Sequence, residues 1–131
     1  MKRIFLILCI AALMYTTSLA FPAMAATITV AADGTGDYTS LSAALNTAES
    51  DDTIYIQRGV YREPASITIS KNNITIRGEG ADKVIMNLMP SESLYIIGSG
   101  CHIENLKFSG FGVLQIKSSN CIVRNCIFEI G

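Results

Sequence analysis

The sequence carries no basic run and no basic stripe, which argues against nucleic acid as a partner. It also lacks an apolar run of the roughly 20 residues that span a bilayer. The longest such run, Ile4 to Met14, falls well short. Cysteine is sparse: Cys9 lies within that run, and Cys101, Cys121 and Cys126 remain. An odd set of this kind is unlike the even framework of a small disulfide-stapled domain. The single histidine is His102. No metal-ligand cluster, no Ser and His arrangement and no carboxylate pair suited to a glycosidase can be read from the sequence. No catalytic residue, no metal ligand and no cofactor is therefore assigned.

What is present begins with an export signal. Lys2 and Arg3 precede the apolar run, and Ala23-Met24-Ala25 supplies a small-x-small cleavage site, so a cut after Ala25 is expected. The competing reading, an uncleaved membrane anchor, is disfavoured by the shortness of the run. Residues 1–25 are thus read as a signal peptide and 26–131 as one domain of a secreted or cell-surface protein, with no membrane span after cleavage. Of ten Lys and Arg residues, loss of Lys2 and Arg3 leaves eight against eleven Asp and Glu, a mildly acidic product.

The domain opens with a short strand, Thr27 to Val30, and a glycine-rich loop containing Asp33, Gly34, Gly36 and Asp37. The loop lacks the alternating oxygen ligands and terminal Glu of an EF-hand and reads as a plain turn. A helix from Ser40 to Glu49 follows, with Ser40 as its cap and Leu41, Ala44, Leu45 and Ala48 on one face. These elements, 26–50, form a capping unit. From Asp52 the period becomes alternating, in short strands broken by Gly, Asn and Ser.

A shift of twenty residues lays Leu94 to Phe111 on Leu114 to Gly131. Leu94 then meets Leu114, Ile96 meets Ile116, Cys101 meets Cys121, Asn105 meets Asn125 and Phe108 meets Phe128. Antiparallel hairpins give no reason for this register. A parallel β-helix does, because equivalent residues stack one strand spacing apart on consecutive turns. Coils spanning 52–131 are expected, with the matched apolar residues inside. Asn105 and Asn125 should stand at bends, where Asn tolerates the left-handed conformation. Cys101 and Cys121 share the inward parity of Ile103 and Val123, which favours packing over a disulfide.

The stretch "VAADGTGDYTSLSAALNTAESDDTIYIQRGVYRE", followed by "ITIRGEGADKVIM", resembles the opening of pectin methylesterases and of the wider pectin-lyase-like superfamily. The resemblance includes a Gly-x-Tyr-x-Glu pattern at Gly59, Tyr61 and Glu63. It implies an all-β, right-handed parallel β-helix with an N-terminal capping α-helix. The catalytic part of the family pattern is missing. The family's strand-opening Gln falls near Phe111, Gln115 lies several residues too late, and the sequence stops at Gly131 just before an aspartate-bearing "QD". None of the family's catalytic residues transfers.

The residues themselves offer two outward sets. Tyr95, Gln115 and Lys117 supply an aromatic ring, an amide and an ammonium, which suit a sugar and a uronate carboxylate. His102, Glu104 and Arg124 form a second cluster in which Glu104 and Arg124 share a stacking position. An ordinary solvated strand face and a surface ion pair are the plain alternatives. Asn73-Ile74-Thr75 is a glycosylation acceptor sequence that reads equally well as a turn. Two functions fit. One is a non-catalytic module binding acidic polysaccharide. The other is the N-terminal part of an esterase or lyase acting on uronans, its catalytic coils following Gly131. In both, Phe128 and Ile130 lie at an end that needs a missing segment or partner to cover it.

Overall fold

A computed structural model describes residues 24–131; the expected signal sequence, apart from Met24 and Ala25, lies outside the described residues. The chain winds as a right-handed parallel β-helix. Its strands are β1 (Thr27–Val30), β2 (Thr53–Ile56), β3 (Gly59–Arg62), β4 (Ile67–Ile69), β5 (Thr75–Gly78), β6 (Val84–Asn87), β7 (Ser93–Ile96), β8 (His102–Glu104), β9 (Lys107–Ser109), β10 (Val113–Ile116), β11 (Ile122–Arg124) and β12 (Ile127–Glu129). They form three parallel sheets. Sheet A has the order β1-β2-β5-β8-β11, sheet B β12-β9-β6-β3 and sheet C β10-β7-β4.

The interior is a set of vertical files. Ile28, Ile54, Ile76, Ile103 and Val123 stack in sheet A. Tyr61, Met86, Phe108 and Phe128 stack in sheet B. Leu94 lies between Ile67 and Leu114 in sheet C. Alternation forces this arrangement, since a one-residue slip would turn every file outward. Each fully buried aliphatic or aromatic residue contributes about 1.5–3 kcal/mol of apolar burial. Phe108 and Phe128 stack with ring centroids 5.6 Å apart and planes 11° from parallel.

The twenty-residue period holds for the last coil and not for those before it. Asn105 and Asn125 are 20 apart, and Asn125 Nδ2 donates a hydrogen bond to Asn105 Oδ1 at 3.3 Å, whereas the stacked pair Arg77 and Glu104 are 27 apart. Loops of differing length at the corners absorb the difference without disturbing the strand register. Asn73, Asn105, Asn120 and Asn125 all adopt positive φ, between 50° and 61°. They mark the corners, as expected of Asn.

One end is closed. Helix α1 (Leu41–Thr47) is shorter than the expected Ser40 to Glu49, with Ser40 as N-cap accepting from the Ala43 amide and Ala48 as C-cap. Leu41, Ala44 and Ala48 are buried and join the core beneath β1, β2 and β4. A second, unforeseen capping group is Glu63, which is buried and accepts from the Leu41 amide at 2.9 Å and from the Ser42 hydroxyl. Buried Asp52 accepts from Ala26 and Glu49 amides, both at 2.8 Å, clasping the chain on either side of the helix. In the loop before it, Asp33 accepts from the Thr35 amide and hydroxyl, the plain turn that was expected. Gly36 there has no room for a side chain, since a Cβ would lie 2.7 Å from the Thr29 carbonyl oxygen.

The other end is open. Inside sheet C, Ile96 is 0% exposed and its neighbour Ile116 is 47% exposed; inside sheet A, Ile103 is 1% and Val123 37% exposed. The residue types are alike in both coils. What differs is that nothing among the described residues lies over the last one.

Candidate functional site

Sheet C presents its outward residues as a file of Thr68, Tyr95 and Gln115, in register on β4, β7 and β10. Leu94 and Ile96 point inward and are fully buried, which fixes Tyr95 outward; it and Gln115 are half-buried. Lys117 follows β10 and is exposed. Stacking therefore brings the ring of one coil next to the amide of the next, with an ammonium at the edge. An aromatic face, an amide and a cation can together contact the apolar face, hydroxyls and carboxylate of an acidic sugar.

Sheet A presents a different file: Thr29, Tyr55, Arg77, Glu104 and Arg124. Glu104 binds the Arg77 Nε at 2.6 Å, while the expected partner Arg124 stands at 4.0 Å. The sequence comparison located Arg124 because it lies one short period away; Arg77, across the longer coil, escaped it. His102 is exposed and stacks between Thr75 and Ile122. The two expected sets thus lie on separate sheets and form two faces. Among the described residues no group of three or more His, Cys, Asp or Glu side chains comes together to hold a metal ion.

Two clefts contain none of the expected residues. One, of about 440 Å³, is lined by Ala31, Ala32, Asp33, Tyr55, Gln57, Arg58 and Glu79. In it Arg58 Nη2 meets Glu79 Oε1 at 2.9 Å, and the Arg58 amide donates to Glu79 Oε2 at 2.7 Å. The Arg58 side-chain hydrogen bond holds the Glu79 carboxyl below the usual carboxylate range. Asp33 is likewise lowered, chiefly by the Thr35 hydroxyl. The other cleft, of about 460 Å³, is lined by Arg62, Glu63, Pro64, Asn87, Leu88, Met89 and Gly110. Loops from successive coils build both, so no local sequence pattern announces them.

The Gly59, Tyr61, Glu63 pattern has a structural role. Tyr61 is buried and its hydroxyl donates to the Gln57 carbonyl at 2.6 Å, while Glu63 caps α1. Burial raises the Tyr61 hydroxyl above its ordinary value. Phe111 is fully buried and meets Phe128 edge-on, with centroids 6.3 Å apart and planes at 89°.

In-register coils under a short capping helix define a β-helix of the pectin-lyase-like class. Within it, the family model for pectinesterase matches residues 27–98, more than half of the chain, and the chain belongs to the pectinesterase family. It is 31% identical over 90 residues to pectinesterase 3 of Solanum lycopersicum, covering 59% of this chain and 16% of that one. It is 42% identical over 62 residues to pectinesterase 2 of Arabidopsis thaliana, covering 44% and 11%. The chain spans about a fifth or less of the length of these curated relatives. Among solved structures, carrot pectin methylesterase shares the fold with a TM-score of 0.68 at 24% identity, over 82% of this chain and 40% of that one. A pectin methylesterase mutant in complex with a hexasaccharide shares it with a TM-score of 0.51 at 19% identity, over 70% and 31%.

Proposed function

We propose that this chain is the N-terminal coil stack of an extracellular carbohydrate esterase that acts on uronan polysaccharide, with the acid–base residues supplied by further coils of the same winding. The observation that carries this reading is the open last coil. Its inward residues Leu114, Val123 and Phe128 continue the three interior files, with no layer above them among the described residues. Membership of the pectinesterase family supports the reaction class, and the export signal expected from the sequence agrees with the compartment. In this account residues 24–131 supply a rigid, capped base and the first part of a polysaccharide-facing wall.

The test compares this chain with one extended by the downstream reading frame, measuring acid release from methyl-esterified polyuronate. Hydrolysis by the extended chain alone is expected. Hydrolysis by residues 1–131, or a stop codon directly after Gly131, contradicts the proposal.

A second reading, a non-catalytic module for acidic polysaccharide, is favoured by the stacked Tyr95 and Gln115 with Lys117 beside them. It predicts that the chain binds polygalacturonate on its own and that Tyr95→Ala and Lys117→Ala each weaken binding several-fold. Binding unchanged by both substitutions removes that face from the account.

A further inference from the structure

Cys101 and Cys121 stand one residue before β8 and β11, and because His102 pairs with Ile122 they occupy the same slot on consecutive coils. Their Cα atoms are thus about one strand spacing, ~4.8 Å, apart. That lies inside the window of ~4.4–6.8 Å that a disulfide requires. The sulfurs also converge. Cys101 Sγ donates to the Gly98 carbonyl at 3.2 Å and Cys121 Sγ donates to the same oxygen at 3.4 Å. Gly98 has no room for a side chain, since a Cβ there would lie 1.9 Å from the Lys71 carbonyl oxygen, and its amide donates to the Ile69 carbonyl at 3.0 Å.

Cys126 is a control within the same coil. It stacks over Leu106, and its Sγ contacts the Ile103 and Arg124 carbonyls at 3.5 Å and 3.3 Å. Among the described residues no other cysteine shares its slot. Cys101, Cys121 and Cys126 are thiols in this structure, Cys101 buried and Cys121 half-buried.

We propose that Cys101 and Cys121 are a paired modification site, which a small-molecule disulfide converts into a covalent tie between the last two coils. Cys121, the more accessible, gives its proton to solvent, and its sulfur attacks one sulfur of the small disulfide. That step releases one small thiolate. Cys101 then loses its proton and attacks the Cys121 sulfur, releasing the second. Two protein thiols and one small disulfide become one protein disulfide and two small thiols, so electrons and protons balance. Burial raises the Cys101 thiol above its ordinary value, which suits it to the second step rather than the first. The tie would fasten the coil that, among the described residues, has a neighbour on one side only, by removing the open conformations in which the two coils part.

The experiment treats the full chain carrying Cys9→Ser with glutathione disulfide under native conditions, then denatures it, alkylates the remaining thiols and maps the peptides by mass spectrometry. A Cys101–Cys121 bridge and an alkylated Cys126 are expected, together with at least several-fold slower amide exchange in Ile122–Glu129 and unchanged exchange in Thr27–Ile56. Cys126→Ser should leave the bridge intact, and Cys101→Ser should stop at a mixed disulfide on Cys121. If the latter variant does not fold, Cys126→Ser decides alone. Three free thiols, a bridge through Cys126, a stable mixed disulfide in the unsubstituted pair, or a bridge that leaves exchange in Ile122–Glu129 unchanged overturns the proposal.

Discussion

The first coil and the last are built from the same kinds of side chain and end in opposite conditions. At the first, α1 lays Leu41, Ala44 and Ala48 beneath the core, and two buried carboxylates, Asp52 and Glu63, satisfy the amides around the helix. At the last, Ile116, Val123 and Phe128 repeat the interior files without cover. A β-helix coil cannot bury its own two faces; it buries each against a neighbour or a cap. Burial in this protein is therefore a property of position in the stack as much as of sequence.

The comparison predicts unequal costs for equal substitutions. Phe108→Ala, in the fully enclosed slot, should destabilise by about 3–5 kcal/mol. Phe128→Ala, one coil up, should cost roughly half that, from partial burial and the lost ring stacking. Chemical denaturation of the two variants side by side measures this; equal losses would mean the last coil is enclosed. Glu63→Ala should cost about 1–3 kcal/mol, because it strands the buried Leu41 amide and the Ser42 hydroxyl. Ser40→Ala should cost about 1 kcal/mol. Both effects should appear as lower denaturation midpoints with exchange loosened first around Leu41–Thr47.

Smaller effects are expected on the outer faces. Arg77→Ala should lower stability by well under about 1 kcal/mol, with the loss shrinking at high salt, and Arg124→Ala by less, since Arg77 is the nearer partner of Glu104. A larger effect from Arg124→Ala would reverse that order. The Glu79 carboxyl titrates below its ordinary value because the Arg58 side chain bonds to it. Its contribution is complete above the ordinary carboxylate value and is lost as pH falls through the lowered one. Glu79→Gln should therefore flatten the acid limb of a stability-versus-pH curve and leave its slope near neutrality unchanged.

Much of this architecture is legible in the sequence, for a physical reason. Adjacent short coils leave the same residue at the same offset, so Leu94 with Leu114 and Phe108 with Phe128 declare a parallel register without any coordinates. Asn105 and Asn125 declare the corners. Where corner loops lengthen a coil the offset changes, so the pairing of Arg77 with Glu104 stayed hidden although the stacking rule is the same. Ser40 shows as a cap because it is local. Glu63 and Asp52 do not, because their partners lie far along the chain or act through backbone amides that no side-chain pattern records. The candidate faces were readable to the same extent: alternation sets Tyr95 and Gln115 outward together, whereas the two clefts arise from loops meeting across coils.

The asymmetry between the ends is tested most directly by residue-resolved amide exchange of the reduced chain under native conditions. Protection should be greatest in β2, β5 and β8 and fall by orders of magnitude through β11 and β12, where the ladder has a partner on one side only. Uniform protection from β2 to β12 would contradict an open last coil.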